Sequence, residues 1–218
     1  MASQLELELK KLKNAIIKIS NLAENQVIEA MKALLSEPVA QGKEVKKTEN
    51  KIDKLDVKID EICQNVFALQ QPVASDLRFI MSAMQISNEV ERIGDLALDV
   101  IRNNKNIKEK HDLILRHKIP EITKEVEEIV LKTILSFQNL NQENITEVFV
   151  LNSAIKAKST EAIQAIINEM KDNSKTVVSG TNLVLVLKNI ERIAEHCTNV
   201  AESVYFMINA KIIKNEKR

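Results

Sequence analysis

The chain has 218 residues, of which 44% are hydrophobic and 28% charged, and it contains only three glycines and three prolines. A composition so poor in helix breakers favours long helices. Lysine plus arginine balances aspartate plus glutamate at 31 each, and only 3% of the residues are aromatic. This balance excludes the basic excess that attracts nucleic acid through its phosphates, and few aromatic rings are present on which bases could stack. We therefore expect no nucleic acid among its partners.

The two cysteines, Cys63 and Cys197, lack the paired spacing of a zinc knuckle or a disulfide framework, which fits a reducing compartment best. The sequence from Met1 shows no basic region followed by an apolar run, and the longest apolar run, 183–187, is far shorter than a membrane span. We expect a cytoplasmic protein that approaches a membrane only through its partners.

Apolar residues at alternating spacings of three and four predict six amphipathic helices, and strand signals are absent from the sequence. Segments rich in Pro, Ser and Asn separate them, and Asp76 is placed to cap the third helix. The first three predicted helices run from Leu5 to about Leu35, where Ser36-Glu37-Pro38 is the stop, from about Val45 to Leu69, and from Asp76 to about Asn103. The fourth runs from near Pro120 to about Asn139, and the fifth follows it to about Met170. After a break at Lys171 to Ser174, the sixth helix runs through Leu183 to Met207.

A polar linker, 103–110, divides these helices into two sets of three. Short connections make sequential helices antiparallel, and the third members of the two sets resemble each other. The sequence therefore predicts an all-α protein of two tandem antiparallel three-helix bundles related by pseudo-twofold symmetry. We assign residues 1–108 to the first domain and residues 109–218 to the second.

An acidic motif occurs in both third helices. The run Glu91-Arg92-Ile93-Gly94-Asp95 returns one hundred residues later as Glu191-Arg192-Ile193-Ala194-Glu195. With 3.6 residues per turn, each helix carries a stripe of oxygen ligands on one face. The two stripes are Glu91, Asp95 and Asp99 in the first copy, and Glu191, Glu195, Asn199 and Glu202 in the second.

The spacing within each stripe has an energetic cost, because like charges at i, i+4 destabilise a helix by roughly 0.2–0.5 kcal/mol per pair. One interpretation is a solvated polar face opposite the apolar seam. The other is a divalent cation, which prefers several carboxylate oxygens and would relieve the repulsion. The repetition of the pattern and the scarcity of nearby lysines favour the cation.

The runs Gln71-Pro72-Val73-Ala74-Ser75-Asp76-Leu77-Arg78, Glu91 to Asp95 and Glu191 to Glu202 closely resemble the PhoU family of phosphate-uptake regulators, across nearly the whole chain. The resemblance implies two three-helix bundles with multinuclear clusters of iron or zinc on the bundle surface. Glu91 and Asp95 match the first metal motif, and Glu191 and Glu195 match the second. By the same family pattern, Asn50, Asp53 and Asp56 on the second helix are candidate partners for the first motif.

The second half departs from the family pattern. The counterparts assigned to Asn50 and Asp53 are Asn152 and Lys156, so a cation replaces an acid. We therefore expect a weaker or smaller metal site in the second half. His196 lies beside the second stripe, and the spacing leaves open whether it is a ligand.

The resemblance further implies a function. It implies a non-enzymatic negative regulator of phosphate uptake and phosphate-starvation signalling. The implied partners are the ATPase of the phosphate ABC transporter and a sensor histidine kinase, and we expect a homodimer.

Two alternatives remain: a ferritin-like carboxylate-bridged metalloprotein or enzyme, and a helical adaptor without metal. The ferritin-like site uses Glu-x-x-His pairs directed into a bundle core, and this sequence has no such pair.

Overall fold

Seven α-helices and one 3-10 turn make up the described part of the chain. The computed structural model describes residues 3–36, 42–108 and 110–213, except for the side chains of residues 42–45, 110 and 111. The helices are α1 Gln4–Leu35, α2 Gly42–Gln70, α3 Ala74–Asn104, α4 Lys110–Arg116, α5 Ile119–Asn139, α6 Gln142–Asp172 and α7 Val177–Asn209, with the 3-10 turn at Ser174–Thr176 between the last two.

Local signals account for several helix ends. A capping box opens α1, because the Ser3 hydroxyl accepts a hydrogen bond from the Glu6 amide while the Glu6 carboxylate accepts one from the Ser3 amide. Pro120 lies in the first turn of α5, where its missing amide hydrogen is not needed. At its other end, Leu140 takes the left-handed conformation that terminates many helices. The stop predicted at Glu37 and Pro38 lies outside the described residues.

Two details of the predicted boundaries are wrong. Helix α3 begins at Ala74 with Val73 at its N-cap, so Asp76 is not the cap and lies in the first turn. Its charge is still favourable near the positive end of the helix dipole. The second error is the short helix α4, which the sequence did not predict and which starts at the end of the supposed linker. Its seven residues are too few for a clear apolar period.

The six long helices form the two predicted antiparallel three-helix bundles, α1–α3 and α5–α7. The bundles lie side by side, with α3 packed extensively against α7 and with α1 against α5. Buried positions repeat between the halves: a shift of 103 residues takes Ile16 to Ile119 and Ile52 to Ile155, and a shift of 100 takes Ile93 to Ile193. These shifts define which residues are equivalent in the two halves.

One continuous hydrophobic core runs through both bundles. The free thiols of Cys63 and Cys197 are part of it, and burial raises the pKa of each to about 12. The division into domains after residue 108 remains a prediction. Within the described ranges, none of the helices combines the length and hydropathy needed to cross a bilayer.

Candidate metal centre

Carboxylates from α2 and α3 converge in the first bundle. Glu49 on α2 is buried and faces Asp95 on α3, and Asp53, one turn after Glu49, lies close enough to raise its pKa. Glu91 lies one turn before Asp95 on α3. These four residues, Glu49, Asp53, Glu91 and Asp95, are the first acidic cluster.

Glu49 is the residue of this cluster whose pKa is raised most. Burial, followed by the proximity of Asp95, raises the pKa of Glu49 to about 7, although a hydrogen bond from Gln26 opposes the shift. The Gln26 amide nitrogen donates to Oε2 of Glu49 at 2.5 Å, and the buried Oε1 has no hydrogen-bond partner. A proton on Glu49 would allow it to donate a hydrogen bond to Asp95 and would remove the repulsion between the two carboxylates. A cation could remove the same repulsion.

Glu91 is less buried and is partly compensated. Burial raises its pKa, Asp95 adds to the shift, and Arg92 opposes it. Arg92 lies 3.4 Å from Glu91 and 3.2 Å from Asp95. Because the Arg92 side chain is 61% exposed, these ion pairs contribute little to stability and can break when a ligand binds.

The remaining first-half candidates lie at the margin of the cluster. Asp56 accepts a hydrogen bond from the Ser87 hydroxyl at 2.7 Å. Asp99 pairs with Arg102 at 2.8 Å, one turn beyond Asp95. Asn50 is exposed, so the residue that faces α3 is its neighbour Glu49.

Sequence reasoning missed Glu49 and Gln26. The available signal for Glu49 was its spacing from Asp53, which repeats the i, i+4 spacing of Glu91 and Asp95. Close packing at Gly94 brings these residues together: a Cβ atom at Gly94 would lie 3.1 Å from Cδ1 of Ile52, and the Gly94 carbonyl accepts a hydrogen bond from Gln26 at 3.1 Å.

In the second bundle, Glu191 is paired with a lysine of its own helix. Its side chain is 9% exposed, its Oε2 accepts a hydrogen bond from Lys188 at 2.6 Å, and its Oε1 has no partner. Glu195, one turn later, is exposed. The charge of Glu191 is therefore already compensated by Lys188.

The other second-half candidates face the first bundle. Asn199 donates to Oε2 of Glu89 on α3 at 2.9 Å, and Nδ1 of His196 lies 2.6 Å from the same oxygen. Glu202 lines the groove beside Glu89 and Asn199. Hydrogen bonds from His196 and Asn199 outweigh burial and lower the pKa of Glu89, so His196, Asn199 and Glu89 form a contact between bundles.

The shift of 103 residues refines the comparison of α2 with α6. It aligns the buried Ile52 with Ile155, and therefore Glu49 with Asn152 and Asp53 with Lys156. Asn152 is thus the counterpart of Glu49, and the pairing with Asn50 expected from the sequence is wrong by one residue. Lys156 is exposed, as is Asp53.

The first acidic cluster has the chemistry of a hard-cation site. It combines carboxylates from two helices with an unpartnered buried oxygen on Glu49. As the side chains stand, no three His, Cys, Asp or Glu residues of the described ranges are arranged to hold a metal ion. Asp95 is 42% exposed, which places the cluster at the bundle surface and not in the core position of a ferritin-like site.

Known proteins resemble this chain over most of its length. The PhoU domain matches residues 16–103 and again residues 119–204. A protein of Rhizobium meliloti named phosphate-specific transport system accessory protein PhoU homolog is 29% identical over 94% of this chain and 87% of its own length. A homolog of the same name from Pseudomonas aeruginosa is 24% identical over 99% of this chain and 89% of its own.

Two crystal structures share the fold. PhoU from Pseudomonas aeruginosa has a TM-score of 0.88 at 24% identity, covering 95% of this chain and 100% of that one. The phosphate transport system regulatory protein PhoU from Streptococcus pneumoniae has a TM-score of 0.84 at 21% identity, covering 97% and 100%. The similarity in fold therefore extends over both bundles.

Proposed function

The chain belongs to the PhoU family, and from this membership we propose that it regulates phosphate uptake and represses the response to phosphate starvation. The observation that carries the proposal is the double match to the PhoU domain, which includes most of both bundles. The names of the relatives, which tie them to the phosphate-specific transport system, support it.

The regulator acts by binding and not by catalysis. It works in the cytoplasm as a homodimer, contacts the ATPase of the phosphate ABC transporter and a sensor histidine kinase, and holds the kinase in its repressing state while phosphate is plentiful. Long helical surfaces such as α2 and α6 suit contacts with partner proteins.

The first acidic cluster is proposed to hold a divalent or trivalent metal ion, iron or zinc by family. The ligands would be Glu49, Asp53, Glu91 and Asp95. The raised pKa values of Glu49 and Glu91 support this assignment, since both groups lie where negative charge is uncompensated. Bound metal would supply positive charge that neutralises the acids, and Arg92 would be released from them.

The second half is proposed to bind metal more weakly through Glu191 and Glu195. Lys188 already supplies charge to Glu191, and Asn152 and Lys156 stand where the first bundle has acids. Asn199 takes part only if its hydrogen bond to Glu89 on α3 is broken, and Glu202 lines the groove beside it.

A deletion strain tests the regulatory role. Its phosphate-starvation reporter is expected to stay active in phosphate-rich medium, and the wild-type gene on a plasmid should restore repression. Normal repression in a strain without this gene or another PhoU gene would reject the proposed function.

A metal-site variant tests whether the metal is needed. Glu49→Gln with Asp95→Asn should accumulate normally but fail to restore repression, whereas Glu191→Gln with Glu195→Gln should restore much of it. Full repression with the first variant, after metal analysis has shown the cluster to be empty, would instead support the metal-free adaptor.

A further inference from the structure

Equivalent grooves run along the outer faces of the two bundles. The first groove lies between α1 and α2 and has a volume of about 520 Å³. It is lined by Glu8, Lys11, Asn14, Ala15, Lys18, Leu55, Lys58 and Ile62. The second lies between α5 and α6 and has a volume of about 150 Å³. The shift of 103 residues that aligns the helices also aligns these grooves.

Their charges are reversed at equivalent positions. Glu121 stands in the second groove where Lys18 stands in the first, and Glu161 stands where Lys58 stands. The floor differs as well, because Lys158 replaces Leu55. A single partner could therefore not bind both grooves equally well.

The two grooves also differ in how their charges are compensated. Lys158 in the second groove pairs with Glu125 at 2.6 Å. In the first groove, Lys11 pairs with Glu8 at 2.7 Å, but neither Lys18 nor Lys58 forms an ion pair with any residue that the structure describes. The first groove thus offers uncompensated positive charge at its rims.

Between the lysines of the first groove lies an apolar floor. Ala15, Leu55 and Ile62 pack against the core, yet each remains partly open to solvent. At 100° per residue, Leu55, Lys58 and Ile62 lie on the side of α2 opposite Glu49 and Asp53. The groove is therefore a surface separate from the first acidic cluster.

We propose that the first groove is the docking site for an acidic amphipathic helix of a partner protein. A third helix fits the concave space between two helices, with apolar side chains on Leu55 and Ile62 and carboxylates beside Lys18 and Lys58. Charge complementarity selects this occupant, and the concave shape favours a helix over the flat surface of a membrane. In the second groove, Glu121 and Glu161 at the equivalent positions would repel the carboxylates of the same helix, although Arg116, Lys118 and Lys158 line that groove too.

Two synthetic peptides test the proposal with the full-length protein. Each is a stapled, fluorescein-labelled helix of about four turns with leucine at i, i+3, i+4 and i+7, flanked by glutamate in one peptide and by lysine in the other. Fluorescence anisotropy should show binding of the glutamate peptide only, and added salt should weaken that binding.

Charge reversal locates the binding site. Lys18→Glu with Lys58→Glu should weaken binding of the glutamate peptide by about tenfold or more, since two attractive pairs become repulsive. Lys10→Glu with Lys124→Glu, at exposed positions outside both grooves, makes the same change in net charge and should leave affinity within about twofold. Leu55→Lys, which copies the second groove, should also weaken binding.

Several results would overturn the proposal. These are no binding of the glutamate peptide, equal binding of both peptides, or equal losses in the groove variant and in the Lys10/Lys124 control. A further contrary result is cosedimentation with vesicles of phosphatidylcholine and phosphatidylglycerol that depends on Lys18 and Lys58, because the groove would then face a membrane surface.

Discussion

The two bundles share a helical plan and differ most where the second helix of each meets the third. In the first bundle, Gln26 and Glu49 reach the Gly94 turn of α3 and lie beside further acids. The equivalent positions in the second bundle hold Ile129 and Asn152, and Ala194 replaces Gly94. The outer grooves differ as well, because Glu121 and Glu161 of the second stand at the positions of Lys18 and Lys58 in the first.

The comparison separates what packing requires from what a site requires. Core positions keep their apolar character in both halves because a cavity or a buried unpaired polar group is costly wherever it occurs. Glu49 and Glu91 follow no such rule, since burial and repulsion by nearby acids oppose their ionisation. They are better explained by a ligand than by stability, and the predictions below test that difference between the halves.

The largest expected effect is on metal binding by the first bundle. Glu91→Gln with Asp95→Asn should weaken metal binding by about 100-fold or more, because two of four carboxylates lose their charge. Calorimetric titration of chelator-treated protein measures the affinity, and far-UV circular dichroism should show unchanged helix content. The matched variant Glu191→Gln with Glu195→Gln should leave the tighter site intact. Full metal stoichiometry after the first pair of substitutions would disprove the assignment.

The second prediction concerns stability without metal. Glu49 has a folded-state pKa of about 7, raised from 4.5, so the folded protein holds a proton that the unfolded chain releases between these values. Stability should therefore fall as pH rises through this window. Glu49→Gln should remove this dependence and stabilise the metal-free protein by about 1–2 kcal/mol at about pH 8, with little change below about pH 4.5.

Urea unfolding in the presence of a chelator measures this difference at both pH values. The exposed residue Glu61 on the same helix supplies the control Glu61→Gln, which should change neither value. Because Glu49→Gln also removes a proposed ligand, stability and metal affinity should move in opposite directions. A loss of stability at high pH would show that the Glu49 carboxylate is better compensated than the structure indicates.

The third prediction rebuilds the first site in the second bundle. Asn152→Glu with Lys156→Asp restores the acids of Glu49 and Asp53 at their equivalents and should tighten metal binding there by about tenfold. The change is measured by titrating a protein whose first site is disabled. Gln164→Glu with Lys171→Asp alters the net charge by the same amount at exposed positions of α6 and should have almost no effect. Equal gains from both variants would mean that Lys156 does not face Glu191.

The sequence predicted the six long helices because their limits depend on local chemistry. Pro120 near a helix start and the turn after Asn139 act within a few residues, and the apolar seams repeat over many turns. The short helix α4 escaped prediction because one or two turns carry no period. The pairing of the acids within the Glu91 motif was also predictable, since both lie on one helix.

The rest of the site depends on contacts between distant residues. Glu49 lies beside seam residues such as Ile52, so only the approach of α2 to Gly94 directs its carboxylate toward Asp95. The contact of His196 with Glu89 joins residues 107 positions apart, and no spacing rule predicts it. Asn199 was assigned to the second stripe from its helical spacing, but it donates a hydrogen bond to Glu89 as well.

The smallest expected effect concerns Gly94 and its counterpart Ala194. A glycine in a helix interior costs about 0.5–1 kcal/mol relative to alanine, so Ala194→Gly should destabilise the protein by about 1 kcal/mol. Gly94→Ala recovers the same backbone entropy, but its Cβ would lie 3.1 Å from Cδ1 of Ile52 and 3.7 Å from Oε2 of Glu49. The crowding should offset most of the gain and leave a net change within about 0.5 kcal/mol.

The two reciprocal variants should therefore differ in size, and urea unfolding of both under the same conditions measures this. The double variant Gly94→Ala with Ile52→Val supplies the control, because removing Cδ1 of Ile52 relieves the close contact. If crowding limits the effect, Gly94→Ala should be better tolerated in the Ile52→Val background than in the protein that keeps Ile52. Gains of about 1 kcal/mol from Gly94→Ala alone would mean that α2 can shift away from α3 at no cost, and that Gly94 is not needed to bring Glu49 to Asp95.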